Sequence, residues 1–396
     1  MKVCGIVAEY NPFHRGHLYH IAETRRRTGP DAAIVCAMSG EFVQRGTPAV
    51  YGKYARAEAA VRCGADLVAE LPLPWAMAPA ETFARGALAL LRALGADCLS
   101  FGSECGDAAV LRETAALLLD PALDAALLPL LREGLPYALS RQRAAEALAG
   151  RPLPQLRRPN DILGVEYCKA ALRMNWDAEM MTVSRLGGEH DAPTAGPYPS
   201  AAYLRALLEA GKGVGPWLAP EAANIFARER TSGRGPVLPA ALDAALLSRL
   251  RRLTPAELAL APEAGEGLEH RLSRALEEPT LEGAVSAAAT KRYPRARLRR
   301  CLTAAALDLR AGDAAGDPPY LRVLAASVRG RALLASLRDR APLPLILRPA
   351  QGRDLPGEAG RLYGRCAAAA DLWRLGCPAV EQRRGGEDWR ETPVMI

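Results

Sequence analysis

Short apolar runs alternate with longer stretches of helical periodicity through the first half of the chain. Val3–Ala8, Ala32–Met38, Asp66–Leu71, Cys98–Phe101 and Met180–Val183 are brief runs that predict buried strands. Gly16–Arg27, Ala55–Cys63, Pro79–Leu94 and Asp161–Leu172 place apolar residues at helical spacing between them. Strand–helix alternation predicts an α/β fold with a parallel sheet covered on both faces, and ligands then sit at the carboxyl ends of its strands. The Leu/Ala/Arg-rich segment 108–150 predicts a helical insertion. From about 220 to 340 the pattern is amphipathic helix broken by prolines. Leu345–Leu347 predicts a short strand between Pro344 and Pro349, and Gly386-Glu387-Asp388 opens a polar tail. The expected division is 1–215, sheet-forming, and 216–396, mostly helical.

Composition changes this picture little. Apolar residues make up 49% of the 396 and charged residues 24%, as in an ordinary globular protein. The nine cysteines form no CxxC pair, so a structural zinc site is not expected; a reduced, cytoplasmic protein is. No targeting segment and no membrane span are expected, since no run of about 18 apolar residues occurs. Charge is uneven. Residues 1–200 carry a net charge of −1 and residues 201–396 a net +8, an asymmetry that suits a polyanion docked on one side.

Three of the five histidines, His14, His17 and His20, lie within seven residues after the first strand. The turn Glu9–Phe13 leads into a helix start, whose free N–H groups and dipole suit phosphate. Gly16 lets a ligand approach the backbone. His14 and His17 can donate to phosphate oxygens and, protonated, would offset the charge of departing pyrophosphate. His14-Arg15-Gly16-His17 after the first strand of a parallel sheet resembles the signature of nucleotidyltransferases related to class I aminoacyl-tRNA synthetases, with a Rossmann-like sheet of the HUP type.

The resemblance extends along the chain. GIVAEYNPFHRGHLYHI (5–21), MSGEFVQRGTPAV (38–50), GADLVAELPLPWA (64–76), LSFGSECGD (99–107), RPNDILGVEYCKAAL (158–172) and VSRLGGEHD (183–191) occur in the order seen in the bacterial tRNA(Met) cytidine acetate ligase family. KRYPRARLRRCL (291–302) and PYLRVLAASVRGRALL (319–334) match more loosely. The resemblance implies an enzyme that activates acetate with ATP as acetyl-adenylate, releases pyrophosphate, and acetylates N4 of the wobble cytidine of elongator tRNA(Met). It implies an ATP site of Val7, Ala8, Glu9, Tyr10, Asn11, Pro12, Phe13, His14, Arg15, Gly16, His17, Leu18, Tyr19 and His20, with Gly102, Asn160 and Arg185. His14 and His17 are the expected catalytic pair. Mg²⁺ would be held mainly by the phosphates, since no carboxylate cluster announces a metal site.

Other residues carry alternatives. Asn160 could cap a helix instead of reading adenosine. Arg45 and Lys53 flank the same rim and could meet phosphate or RNA, or be solvated. Lys291, Arg292, Arg295, Arg297, Arg299 and Arg300, with Arg310, are opposed in sequence only by Asp308 and form the expected tRNA contact. Two positions depart from the family pattern. Glu41 stands where Asn is usual, and Ser200-Ala201-Ala202-Tyr203-Leu204-Arg205 lacks the usual Thr at 202. A small-molecule adenylyltransferase and a non-catalytic RNA-binding protein with a decayed nucleotide site remain alternatives.

Overall fold

A computed structural model describes residues 1–184, 198–338 and 340–396. Five parallel strands form its centre: β1 (Val3–Ala8), β2 (Ala33–Ser39), β3 (Leu67–Leu71), β4 (Cys98–Ser103) and β5 (Glu179–Ser184). The order is β5-β4-β1-β2-β3, so the chain reverses direction across the sheet beside β1, where a crevice opens at the strand ends. Successive side chains alternate between faces. Val35, Ala37, Leu67 and Ala69 join the core that includes Leu88, Leu91 and Val165, from the helices Ala80–Ala93 and Pro159–Arg173. Ile34, Cys36, Met38 and Val68 join the opposite core with Ile21 of α1 (Arg15–Thr28) and Ala57 and Ala60 of α2 (Lys53–Arg62). The expected insertion is three helices, Ala108–Leu117, Ala122–Arg132 and Tyr137–Ala149.

The second half is not helical throughout. β6 (Leu321–Ala326) runs antiparallel to β3, and β7 (Leu345–Ile346) and β8 (Val394–Met395) pair with β6, giving eight strands among the described residues. The reading of about 220 to 340 as mostly amphipathic helix does not single out this strand. Every residue of β6 is buried, so both faces are covered and no alternation distinguishes this strand from a buried helix. Helices Asp243–Leu250, Leu268–Ala275, Leu281–Ala288 and Arg295–Ala306 enclose a separate apolar core, into which Phe42 of the first half inserts. We propose the 215/216 boundary as the point where the helical half begins, although β6–β8 return to the sheet. Among the described residues no single helix is long and apolar enough to cross a membrane.

The expected polar tail also needs correction. Asp388 is buried, and so is Lys53, which had been expected on the rim of the ligand site. Lys53 Nζ lies 3.0 Å from Glu70 and 2.7 Å from Asp388. Arg322 of β6 lies 2.7 Å from Asp388 and 3.2 Å from Glu70. Two cations and two anions thus neutralise one another, and the Tyr54 hydroxyl accepts a further Arg322 N–H at 2.9 Å. Burial alone would raise the Asp388 carboxyl, but Lys53 and Arg322 outweigh it and hold the group well below the usual carboxylate range. Removing one partner leaves an uncompensated buried charge. Asp388→Asn is expected to cost about 3–5 kcal/mol, measured as a shift in urea unfolding; a change within about 0.5 kcal/mol, as for an ordinary surface position, would refute the role assigned to the cluster.

Candidate nucleotide site

A cavity of about 370 Å³ opens where the carboxyl ends of β1 and β4 meet the start of α1. Its wall includes Val7, Ala8, Glu9, Tyr10, Asn11, His14, Gly16, His17, Tyr19, His20, Gly102 and Asn160. Four described residues of the expected site are not in that wall. Pro12 and Phe13 are buried, Phe13 within the core beneath α1, and Leu18 packs against the same core. Arg15 is exposed. Arg185 lies outside the described residues.

The paired imidazoles build the helix start themselves. His14 is the N-cap of α1, with extended backbone, and its Nδ1 accepts from Gly16 N–H at 3.0 Å. His17 Nδ1 accepts from His14 N–H at 3.2 Å, completing a reciprocal capping box in which two imidazoles replace the usual hydroxyl and carboxylate. The rings stack at 3.8 Å with 27° between planes, and Tyr10 meets His17 edge-on at 4.9 Å. A nitrogen that accepts an N–H carries no proton, so each neutral ring bears its proton on Nε2. The histidines are therefore built as neutral donors, and imidazolium formation would break the cap. A Cβ on Gly16 would lie 2.9 Å from His14 Cε1, so the turn needs glycine to seat that ring.

His20 has a different task. Thr24 Oγ1 donates to His20 O at 2.8 Å, so it accepts from Ser100 Oγ at 2.6 Å, and Ser100 in turn accepts from His20 Nε2 at 2.9 Å. This chain ties α1 to β4. Arg56, fully buried, donates to the carbonyls of Glu9 at 2.7 Å, Ser39 at 3.0 Å and Tyr51 at 2.8 Å, and to that of Gly40. It fastens the loops after β1 and β2 to each other. The sequence reading overlooked it, although an arginine amid the alanines of α2 was the available signal.

On the far wall, Asn160 lies in the first turn of Pro159–Arg173 and does not cap it. The Glu104 carboxylate accepts from Asp161 N–H at 2.9 Å and from the Asn160 side-chain amide. Ser200 caps the helix Ala201–Glu209 by accepting from Tyr203 N–H at 3.2 Å, and Arg205 donates to Asn11 O at 2.9 Å. Val43, Gln44, Arg45 and Thr47 close the rim, and Phe101, Ile162 and Tyr167 add apolar wall that the motif reading did not include.

The basic stretch has partners that sequence distance concealed. Arg300 meets Glu263 with two bonds of 2.7 and 2.9 Å, Arg297 donates to Glu263 O at 2.9 Å, and Arg295 and Arg299 both reach Glu282. Arg292 lies 3.6 Å from Glu266, and Arg292 and Arg297 flank the Tyr293 ring at 5.5 and 5.3 Å. Lys291 is exposed. The stretch is thus opposed by three glutamates, not by Asp308 alone. Trp75 and Trp373 are buried, donating to Gly316 O and Ala49 O, and Trp217 packs edge-on against Tyr203.

Residues 1–388 match the family described as HIGH Nucleotidyl Transferase. A tRNA(Met) cytidine acetate ligase of Syntrophotalea carbinolica is 39% identical over 87% of this chain and 84% of its own length. That of Syntrophomonas wolfei is 34% identical over 100% of this chain and 99% of its own. The crystal structure of Thermotoga maritima TmcAL in its apo form is similar over 100% of both chains, with a TM-score of 0.95 and 31% identity. A second structure of that protein, bound with alpha-thio ATP, has a TM-score of 0.92 at 31% identity, covering 100% of this chain and 99% of the other.

Glu41 faces away from this cavity. It lines a separate polar space of about 700 Å³ on the other side of the 40–52 loop, with Gly52, Lys53 and Trp373. Its carboxylate accepts from Lys53 N–H at 3.1 Å and lies 3.8 Å from Arg56, so its charge does not oppose phosphate in the histidine-lined cavity. Burial pushes the carboxyl up from its ordinary 4.5 to about 7, against the pull of Lys53 and Arg56. A carboxyl raised on folding stabilises the native state fully below its unfolded pKa and loses that contribution as pH rises through the folded value. Stability should therefore fall between about pH 4.5 and 7, by on the order of 3 kcal/mol. Glu41→Asn, which keeps an acceptor for Lys53 N–H, should flatten that slope in urea midpoints at pH 5 and 8; an unchanged slope would assign it to other groups.

Proposed function

The chain belongs to the tRNA(Met) cytidine acetate ligase family of HIGH nucleotidyl transferases, and from that premise we propose that it uses ATP and acetate to acetylate N4 of the wobble cytidine of elongator tRNA(Met). An acetate oxygen attacks the α-phosphorus of ATP, and pyrophosphate leaves. The cytidine amine then attacks the acetyl carbon, loses a proton, and AMP leaves. The observation that carries this reading is the imidazole capping box at the carboxyl end of β1. It fixes two Nε2–H donors beside a helix N-terminus, where a polyphosphate finds hydrogen bonds and a favourable dipole without protonated side chains.

The residues of the turn divide the work. His14 and His17 donate to the phosphates and stabilise the departing pyrophosphate. Val7 to Asn11, Tyr19, His20, Gly102 and Asn160 shape the adenosine wall, with Arg185 assigned by family position alone. Mg²⁺ supplies charge neutralisation when bound, and it travels with the phosphates in this reading, since no group of three acidic, imidazole or thiol side chains converges among the described residues. Lys291, Arg292, Arg295, Arg297, Arg299 and Arg300 are proposed as tRNA contacts, Lys291, Arg292 and Arg295 foremost because they are exposed while the other three are half-buried. A tRNA substrate implies the cytoplasm.

Nucleoside mass spectrometry of tRNA incubated with the protein, ATP and labelled acetate tests the reaction. Labelled acetylcytidine is expected; an adenylated small molecule without RNA modification would favour the adenylyltransferase alternative, and RNA retention without turnover the non-catalytic one. His17→Ala should lower acetate-dependent ATP–pyrophosphate exchange by about 10²-fold or more, the scale of losing a transition-state donor. Exchange at the wild-type rate would exclude the assigned role.

A further inference from the structure

Between the nucleotide cavity and the basic helix Arg295–Ala306 lies one tight turn. Gly46 N–H donates to Val43 O at 2.8 Å, and Val43 N–H donates to Thr47 O at 3.0 Å, so Gln44 and Arg45 occupy the corners. The turn is fixed from both sides. Gln44 N–H donates to the Glu9 carboxylate at 2.8 Å, on the strand end that lines the cavity. Thr303 of the basic helix donates its hydroxyl to Gly46 O at 2.9 Å. Gly46 takes a φ of +74°, and a Cβ there would lie 2.8 Å from Arg300 N, so the turn rests directly on the helix backbone.

Arg45 stands at the tip of this turn. It lines the cavity rim and is exposed. No hydrogen bond or ion pair engages its side chain among the described residues, whereas Arg295, Arg299 and Arg300 on the neighbouring helix are each matched by a glutamate. Holding a long cation at a rigid corner without a partner leaves its charge available to an incoming anion.

We propose that Arg45 clamps an RNA backbone phosphate next to the acceptor nucleotide, carrying the strand from the helix Arg295–Ala306 over the rim into the cavity. The inference rests on the tRNA-modifying reading above and names a residue which that reading leaves without a role. A phosphate at this position could also belong to ATP, so the test separates the two sources.

The experiment compares wild type, Arg45→Ala and Arg45→Lys by tRNA binding across salt concentrations without ATP, by acetylation against tRNA concentration, and by ATP–pyrophosphate exchange against ATP concentration. Arg45→Ala should raise the tRNA Kd and KM about tenfold and make the salt slope shallower by about one, as for loss of one phosphate contact. Arg45→Lys should restore the slope. The rise in tRNA KM should exceed any rise in ATP KM. An unchanged tRNA Kd overturns the proposal, as does an ATP KM that rises as much as the tRNA KM. Wild-type protein that binds tRNA but forms no acetylcytidine would refute the functional reading instead, and the binding arm would still report on Arg45.

Discussion

Four buried charges hold the two halves of this chain in one sheet. Lys53 opens the helix after β2, Glu70 lies on β3, Arg322 on β6, and Asp388 near the end of the chain. Ions taken from water are costly, and only close pairing offsets the loss of hydration. Each of these four reaches partners of opposite sign within 3.2 Å. The cluster therefore acts as a specification: β6 must lie against β3 in this register, and the segment around Asp388 must fold back over both. Since α2 also carries Arg56, the clamp on the carbonyls of Glu9, Ser39 and Gly40, the placement of the loops around the cavity rests on the same helix.

The imidazole pair shows how one turn satisfies two demands. A helix start leaves N–H groups unpaired, and a capping side chain normally answers that need with oxygen acceptors. Here each imidazole accepts on one nitrogen and keeps a donor on the other. A hydroxyl–carboxylate box would turn negative charge toward the cavity. The histidine box secures the helix and offers hydrogen to an anion, which is why the spacing of His14 and His17 counts for more than their number.

Much of this was legible in the sequence. The five strands of the first half and the helices between them fall within a few residues of expectation, because short apolar runs and helical periodicity are local properties. The histidine turn was legible because strand, glycine and imidazoles are adjacent. What failed was non-local. β6 is covered on both faces and shows no alternation. Lys53 and Asp388 look like solvated charges until the fold pairs them with each other and sets Glu70 and Arg322 beside them. The glutamates opposing the basic stretch, Glu263, Glu266 and Glu282, lie outside the window in which its charge was read. The direction in which Glu41 points depends on the fold of its loop, and no residue type encodes it.

The antiparallel contact between β3 and β6 bears on how the protein is made. During synthesis β3 emerges long before its outer neighbour, so the nascent sheet presents an open edge, with Lys53 and Glu70 paired to each other but lacking Arg322 and Asp388. Contacts of such sequence separation close slowly. A nascent chain arrested before Asp388 would hold a nearly complete histidine turn on an unfinished sheet, a species suited to capture by chaperones. The four-charge cluster and the outer edge of the sheet are thus completed only when the distal residues fold back onto the beginning.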